Sequence, residues 1–414
     1  MRLQGPSAKQ RVSAGLVCRA GRIFVGTLRR QKIKLSTVDL IGHPQRTRRA
    51  IARTMAADST AAGPGGLSEE QAAVYDRQLR VWGVEAQRRL GASRILVAGL
   101  TGLAAEACKN VALAGVGALV LYDDGAPAVD AAPGNFLAAS GLADAAGTTD
   151  ADALTVANAT AATLREMNPF GEISILPGPS DLSGIDAAAV KGFDAVLVTG
   201  CSLAIAERIN DACRDAGASF FYGECRATVA NFFADLGPNF RYAVERRRSN
   251  TAEKDGDAAD NAGADAAVVV SFVPLREAVS CEWRTLGDGR EGGVRRVNRL
   301  APAWLLSKRF ERSRDRPPTA RDVPAMLAEV PALENEHGVK PGWLGDARWA
   351  VEDVVTGGSS GDGGESPAVA AVVGGILAQE VLRSVTGKGE PVRNSFFFGV
   401  RNGQGTVENV GCPT

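Results

Sequence analysis

One segment, residues 94–123, restricts the fold more than any other part of the chain. It reads RILVAGLTGLAAEACKNVALAGVGALVLYD, in which two short apolar runs surround a glycine turn and an alanine-rich stretch. The pattern predicts a strand over 94–98, a helix over about 103–114 and a second strand over 118–122. A strand–helix–strand unit of this length sets its two strands side by side and parallel. The chain is therefore expected to contain an α/β sheet.

The same alternation continues beyond this unit. EISILPG, FDAVLVTG and SFFYGEC read as strands, and residues 151–167 and 203–216 read as helices. Repeated alternation of this kind predicts a parallel, doubly wound sheet. A last apolar stretch, 366–387, has helical spacing, and its Gly374 and Gly375 predict a close approach to another backbone. The charged and amide side chains in its second half argue against a membrane span.

The start of the chain differs in composition from the rest. Residues 1–55 hold thirteen Lys and Arg residues and a single acid, whereas the remainder carries 34 basic and 46 acidic residues. The leader, residues 1–54, is typical of a gene-model extension ahead of a start at Met55 or of an organellar transit peptide, and we favour the first interpretation. The acidic body argues against a nucleic-acid partner.

These features divide the chain into segments. We expect residues 1–66 to be a disordered extension, because they combine the basic leader with a run of small residues. The first part of the α/β domain runs over 67–283, with a polar, low-complexity, disordered loop at 245–267. Residues 284–366 are expected to form a small, mostly helical insertion. Residues 367–414 are expected to complete the α/β domain with a helix and strands.

The turn GLTGLAAE follows the first strand and opens the helix. Backbone amides at a helix N-terminus bind anions, so Gly99 and Gly102 mark a candidate phosphate site. Asp123, at the end of the second strand, is a candidate to bind a ribose hydroxyl. The dinucleotide fingerprint is incomplete, because Thr101 and Ala104 stand where G-x-G-x-x-G requires glycine. A tight turn that binds nothing is an equal alternative.

The region after the second strand is poor in cations. Between Val111 and Val190 there is no lysine and one arginine, Arg165. A nucleoside triphosphate needs Lys, Arg and Mg²⁺ to offset its charge. The sequence therefore argues against a full ATP-hydrolysing centre built from this chain alone.

Ahead of the first strand, EEQAAVYDRQLRVWG (69–83) reads as an amphipathic helix, followed by a second short helix. Ser68 and Gln71 have the spacing of a capping box. Arg77 and Arg80 lie three residues apart on the polar side of this helix. From the residues alone, the favoured interpretation of Arg77 is a surface arginine paired with a nearby acid.

The seven cysteines are irregularly spaced, and no CxxC pair occurs. This usage is typical of reduced thiols and not of a disulfide framework or a zinc site, so no metal site is predicted. Cys108, Cys201 and Cys213 lie among apolar neighbours and are predicted to be packing residues. His337 lies in the polar stretch ENEHG and is predicted to be solvated.

Three stretches together resemble a known family: residues 67–117, MNPF at 167–170, and residues 366–408. They resemble the smaller (Aos-type) subunits of the heterodimeric SUMO-activating enzymes, within the ubiquitin-activating, ThiF-like superfamily. The resemblance runs from about residue 67 to the C-terminus and is weak only around 245–267 and 285–365. It implies a ThiF-like, Rossmann-type doubly wound sheet with a small, mainly helical insertion.

Active members of this superfamily carry a D-x-D…N-x-N-R-Q run after the second strand. Here Asp123 keeps the first acid, and Cys201 takes the place of a later, Mg²⁺-binding aspartate. The other positions of the run hold Gly125, Ala131, Pro133, Gly134 and Asn135. The resemblance therefore implies a non-adenylating subunit, inactive alone, with ATP and Mg²⁺ bound mainly by its partner. The thioester cysteine of this family likewise belongs to the larger subunit.

The resemblance also implies roles for the two arginines. Arg77 matches the position from which the inactive subunit reaches the γ-phosphate of ATP bound in the partner, as an arginine finger. Arg80 is implied to support the helix or the dimer contact. The implied partners are the larger catalytic subunit and, through the complex, SUMO, with no nucleic acid and no membrane. The implied location is the nucleus, and also the cytoplasm.

Other interpretations remain open. One is the equivalent subunit for another ubiquitin-like modifier such as NEDD8, although that subunit carries a larger helical insert. Another is a stand-alone Rossmann-type nucleotide-binding enzyme, which would need the lysine and the Asn/Arg run that are missing here. A nicotinamide-dependent dehydrogenase is disfavoured by the incomplete glycine motif. A structural scaffold differs from the favoured interpretation only in whether Arg77 matters.

Overall fold

The computed structural model describes residues 67–130, 134–145, 154–179, 181–244, 266–286, 297–346, 348–357, 364–401 and 403–411. The strands in these ranges are β1 (Arg94–Ala98), β2 (Ala118–Asp123), β3 (Glu172–Pro177), β4 (Ala195–Thr199), β5 (Ser219–Arg226), β6 (Val229–Asp235), β7 (Phe240–Val244), β8 (Ala266–Val270), β9 (Ser395–Gly399) and β10 (Gln404–Glu408). The α-helices are α1 (Glu69–Val74), α2 (Asp76–Ala92), α3 (Gly102–Ala114), α4 (Phe136–Ala145), α5 (Val156–Met167), α6 (Ala187–Val190), α7 (Leu203–Ala216), α8 (Leu275–Ala278), α9 (Leu300–Arg314), α10 (Val323–Glu336), α11 (Arg348–Thr356) and α12 (Pro367–Thr386).

Eight strands form one sheet in the order β10-β9-β6-β5-β4-β1-β2-β3. Strands β5, β4, β1, β2 and β3 are parallel, with Leu96 opposite Val120 on one side and Val196 on the other. The order changes direction at β1, as it does in doubly wound sheets. The predicted α/β fold with a doubly wound sheet is therefore confirmed. Strands β6, β9 and β10 extend it with antiparallel pairs.

The first strand–helix–strand unit forms as predicted, with small shifts at its ends. Helix α3 begins at Gly102, one residue earlier than predicted, because Thr101 caps it through a hydrogen bond from the Ala104 amide. The helix ends at Gly115 in the left-handed conformation (φ 91°) that favours glycine. Strand β2 extends one residue further, to Asp123.

Two helices precede the sheet, as predicted, but the first predicted helix is interrupted at Tyr75, and the boundary predicted before Val84 is a bend within α2. The predicted capping box is present, with the Ser68 hydroxyl accepting from the Gln71 amide and the Gln71 side chain accepting from the Ser68 amide. Helix α1 stops at Val74, and Tyr75 turns into the core before α2 begins. Helix α2 then bends at Gly83, whose φ of 81° interrupts the helical geometry.

Helices cover both faces of the sheet. On one face α3 and α12 pack over the central strands, with Leu103, Leu377 and Phe221 in one buried cluster. On the other face α7 and α9 share a second cluster with Tyr222 and Trp304. Helices α9, α10 and α11 come from the stretch predicted as a helical insertion, and their apolar side chains join this second cluster. The limits set for the insertion, 284 and 366, stay a prediction.

A separate two-stranded sheet pairs β7 with β8, with Phe240 opposite Val270. The last two residues of the loop predicted at 245–267, Ala266 and Ala267, belong to β8, so the loop boundary was wrong by two residues. The rest of that loop lies outside the described residues, as do residues 1–66.

Helix α12 is long and apolar enough to cross a membrane by length and composition. Half of its most apolar window is nevertheless buried inside the protein, where it packs against α3. A β-carbon on Gly374 would lie 2.6 Å from the Glu106 β-carbon, so the predicted close approach is confirmed there. It is wrong for Gly375, which has no atom within 4 Å of that position.

Candidate functional site

The glycine turn lies at the carboxyl ends of β1 and β4. Gly99 has a φ of 75°, and a β-carbon at this position would lie 1.7 Å from the Thr199 carbonyl oxygen. The Thr101 and Thr199 hydroxyls are 3.1 Å apart across the same gap. Only glycine fits here, because any side chain would meet the end of β4. Gly99 therefore has a packing role that is independent of any ligand.

The N-terminus of α3 is already occupied by an acid of the same chain. The Gly102 amide donates to a Glu365 carboxylate oxygen, and the Thr101 hydroxyl and the Leu103 amide lie close enough to lower the pKa of this carboxyl group. A β-carbon on Gly102 would lie 2.7 Å from that oxygen and 2.7 Å from the carbonyl carbon of Gly134. Burial raises the pKa of Glu365, and these three donors partly offset the shift.

A second acid occupies the N-terminus of α7, which follows β4. The Leu203 amide donates to the Glu311 carboxylate at 2.7 Å. Both helices that start beside the carboxyl ends of β1 and β4 therefore point their first amides at internal carboxylates. In nucleotide-binding sheets this edge is where ligands bind.

A buried ion cluster links Glu311 to the end of β5. The Lys308 ammonium lies 2.6 Å from Glu224 and 3.1 Å from Glu311, and it is 3.4 Å from the Tyr222 hydroxyl. The Trp304 indole N–H also donates to Glu224, at 2.6 Å. Burial works against the charged form of Lys308, but the two carboxylates outweigh it and raise the pKa of the amine. Lys308 is therefore an ammonium held by two acids.

These residues line a cavity of about 490 Å³ at the carboxyl ends of β4 and β5. Its charged lining residues are Glu224, Glu311, Glu365, Lys308 and Arg226. Three carboxylates thus face two cations, and one of those cations is already bound to two of the acids. A triphosphate does not fit this lining, because its oxygens would approach carboxylates without sufficient counter-charge. Among the described residues, no group of three or more His, Cys, Asp or Glu side chains could hold a metal ion.

Several predicted site positions lie at the same edge. Asp123 ends β2, but its side chain lies outside the description, as do Ala131 and Pro133. Asn135, at the position of the family's glutamine, is buried and bonds the Leu100 carbonyl at 2.7 Å and the Ala138 amide at 3.0 Å. The Asn135 side chain therefore links the start of α4 to the glycine turn through hydrogen bonds with backbone groups.

The five cysteines within the described residues are buried or half-buried thiols: Cys108, Cys201, Cys213, Cys225 and Cys281. Cys201 and Cys225 line the cavity, and burial raises the pKa of each to about 12. Burial raises the pKa of Cys108 to about 12 as well, and also that of Cys213. All four thiols are therefore protonated near neutral pH, which is unsuited to nucleophilic attack.

His337 was predicted to be solvated, and this prediction was wrong. Its ring stacks on Trp283 with 5.1 Å between centroids, and it is half-buried. Burial lowers the pKa of this imidazole. The polar residues beside His337 do not indicate an aromatic partner on another segment.

Arg77 and Arg80 both lie exposed on α2, and of the two only Arg80 has an ion pair with another residue that the structure describes. The Arg80 guanidinium is 3.0 Å from Asp76, one helical turn away. Within the described ranges, Arg77 makes no hydrogen bond or ion pair with Asp76, Glu70 or any other residue. The structure thus pairs Asp76 with the other arginine, contrary to the residue-based interpretation of Arg77.

Arg77 is also far from the glycine turn of its own chain. Tyr75 packs against Gly115, and its hydroxyl accepts from Asn168 at 2.9 Å. Gly115 ends α3, whereas Gly102 begins it, and a helix of 13 residues is about 20 Å long. The two predicted groups of residues therefore lie apart: Gly99, Gly102 and Asp123 at the carboxyl edge of the sheet, and Arg77 and Arg80 near the opposite end of α3.

Sequence patterns did not indicate Glu365, Glu311 or Lys308 as site residues. Glu365 follows a glycine- and serine-rich stretch with no periodic pattern, and nothing local connects it with Gly102. Lys308 and Glu311 have the i, i+3 spacing of a helix pair, which is a common surface pattern. Only the tertiary structure shows that this pair is buried.

A family model and the similar proteins both point to the same family. A family model described as the ThiF family matches residues 75–413. The chain is 32% identical over 349 residues to SUMO-activating enzyme subunit 1B-1 of Arabidopsis thaliana, covering 83% of this chain and 97% of the relative. It is 31% identical to SUMO-activating enzyme subunit 1 of Rattus norvegicus, covering 83% and 96%, and 30% identical to the Homo sapiens protein of that name, covering 84% and 97%. The chain therefore belongs to the ThiF family, among relatives that are subunit 1 of SUMO-activating enzymes.

Proposed function

We propose that this chain is the smaller, non-adenylating subunit of a SUMO-activating enzyme. It pairs with a larger catalytic subunit, which binds ATP and Mg²⁺ and adenylates the C-terminus of SUMO before thioester transfer. The relatives of about 30% identity, which this chain covers almost completely, support the choice of SUMO over NEDD8. The nucleus, and also the cytoplasm, is the proposed location.

One observation carries the non-adenylating part of the proposal: the Glu365 carboxylate lies where a nucleotide phosphate would bind. A stand-alone adenylating enzyme needs that helix N-terminus open and cations beside it. Here the turn is filled, the cavity is lined by three acids, and the thiols beside it are protonated. The same features argue against a stand-alone Rossmann-type nucleotide-binding enzyme.

We propose that Arg77 acts in trans. Its guanidinium is exposed and, in the described part of the chain, unpaired, while its position beside Tyr75 keeps it away from the turn of its own chain. A free guanidinium with forked donors stabilises charge that develops on transferring phosphates. Arg80 is proposed to support the helix at the dimer contact, through its pair with Asp76.

Pyrophosphate exchange by the reconstituted heterodimer tests this proposal. Because an arginine finger contributes about 10³-fold or more, Arg77→Ala is expected to lower SUMO-dependent ATP–pyrophosphate exchange by about that factor. Size-exclusion chromatography with the larger subunit should show an unchanged complex. Arg88→Ala is the matched control, because Arg88 is also exposed on α2 but is paired with Glu85 at 2.6 Å.

Two outcomes would contradict the proposal. Exchange at the wild-type rate by the Arg77→Ala heterodimer would remove Arg77 from the mechanism. SUMO adenylation by the chain without its partner would show that the chain is not the non-adenylating subunit.

A further inference from the structure

The contact between Glu365 and the glycine turn has the chemistry of an anion site with its ligand in place. The Gly102 amide at the first turn of α3 donates to the carboxylate, and the Leu103 amide and the Thr101 hydroxyl lie close enough to lower its pKa. These donor types are the ones that a helix N-terminus offers to a phosphate. The ligand here is a side chain from a segment that enters the next helix, α12.

Close packing leaves little free space beside this carboxylate at the turn. Gly102 and Gly134 approach so closely that a β-carbon on Gly102 would lie 2.7 Å from two Gly134 atoms, and one on Gly134 would lie 3.2 Å from Gly102. The Glu365 oxygen meets the same side of Gly102. A phosphate and the Glu365 carboxylate therefore cannot occupy this position together.

The charges around the turn also oppose an added anion. Glu311 holds the neighbouring helix N-terminus at Leu203, and Lys308 is bound to Glu311 and Glu224. Arg226 is the remaining cation of the cavity wall. The cavity volume of about 490 Å³ lies within the range of small-molecule sites, so lack of space in the cavity is not the barrier.

We propose that Glu365 is an internal phosphate mimic that keeps nucleotides out of this subunit. This inference deepens the proposed function and rests on its non-adenylating part. It assigns to this side chain the exclusion of a phosphate from the first turn of α3 and predicts that the phosphate position there is intact beneath it. Because Glu365 occupies the N-terminus of α3, ATP binds in the partner subunit alone.

Binding of inorganic pyrophosphate to the full chain, measured by isothermal titration calorimetry, tests the inference. The wild-type chain is expected to show no saturable binding at millimolar pyrophosphate. Glu365→Ala removes the mimic and is expected to bind at least tenfold more tightly than the wild type. Glu166→Ala, which removes an exposed carboxylate on α5, should behave as the wild type.

A second variant keeps the test valid if the alanine variant folds poorly. Glu365→Gln preserves the size of the side chain and an acceptor for the Gly102 amide, but removes the charge. We expect its affinity for pyrophosphate to lie between those of the wild type and of Glu365→Ala. Circular dichroism and complex formation with the larger subunit report whether each variant is folded.

Two results would overturn the inference. One is a wild-type chain that binds pyrophosphate as tightly as Glu365→Ala. The other is a set of folded Glu365→Ala and Glu365→Gln chains that bind no better than the wild type. Both are measured on the chain alone, so they are distinguishable from failure of the exchange assay on Arg77.

Discussion

Replacement of Lys308 by methionine tests the buried ion cluster. The change keeps most of the side-chain length and removes a charge that lies 2.6 Å from Glu224 and 3.1 Å from Glu311. Breaking a buried ion pair from one side costs about 3–5 kcal/mol, because the remaining charge has no partner. The Lys308 side chain is 4% exposed, but that of Glu224 is 21% exposed to the cavity, where water reduces the cost. We therefore expect a loss of about 3 kcal/mol in the free energy of unfolding.

Urea unfolding of the full chain at neutral pH measures this loss, followed by tryptophan fluorescence and by circular dichroism. Lys191→Met is the matched control, because Lys191 is exposed at the end of α6 and its replacement should change stability by less than about 0.5 kcal/mol. Adding Glu224→Gln and Glu311→Gln to Lys308→Met should recover part of the loss, since a neutral cluster has no unpaired charge.

A Lys308→Met chain that stays within about 1 kcal/mol of the wild type, with an unchanged denaturant slope, would contradict the expected cost of breaking this buried ion pair. A triple variant less stable than the single variant would show that packing and hydrogen bonding, and not charge, hold the cluster together.

Two further predictions concern the turn and a buried acid. Gly99→Ala is expected to lower the free energy of unfolding by about 3 kcal/mol or more, because it combines a positive φ with a clash against the Thr199 carbonyl. The control Gly217→Ala, with φ 74° and open space around it, should lower it by about 1 kcal/mol in the same urea assay. Equal losses in the two variants would contradict the role of the clash. Burial raises the pKa of Glu408 above 4.5, so the folded state binds more protons than the unfolded state just above that pH, and stability falls as pH rises through this window. Glu408→Gln should flatten that fall in urea unfolding from pH 4.5 to 7, and an unchanged slope would contradict the assignment.

Local patterns were sufficient to predict the start of the sheet. Strand β1 spans Arg94–Ala98 and helix α7 spans Leu203–Ala216, as the apolar spacing indicated. These elements follow from periodicity and from caps within a few residues, such as Thr101 and Gly115. Charge depletion after the second strand likewise indicated that no triphosphate site was complete.

The long-range contacts within the site could not be predicted from such local patterns. Gly102 and Glu365 are separated by 263 residues, and no local signal indicates that they meet. Lys308 and Glu224 are 84 residues apart, and a lysine–glutamate pair in the sequence is usually a surface feature. The antiparallel strand β6 was not predicted either. Its partner β9 lies far along the chain, so its place in the sheet depends on a contact that periodicity does not encode.

The position of β6 has a consequence for how the protein is made. Phe233 in β6 pairs with Ser395, the first residue of β9 to be made, so residues 234–394 must all leave the ribosome before this pairing starts. Joining ends so far apart has a loop-closure cost of about 4–5 kcal/mol, which delays the step further. Until then, the outer edge of β6 presents unpaired backbone groups that favour pairing with other chains. The nascent protein is therefore most prone to aggregate late in translation, when the parallel strands have formed and β9 has not yet emerged.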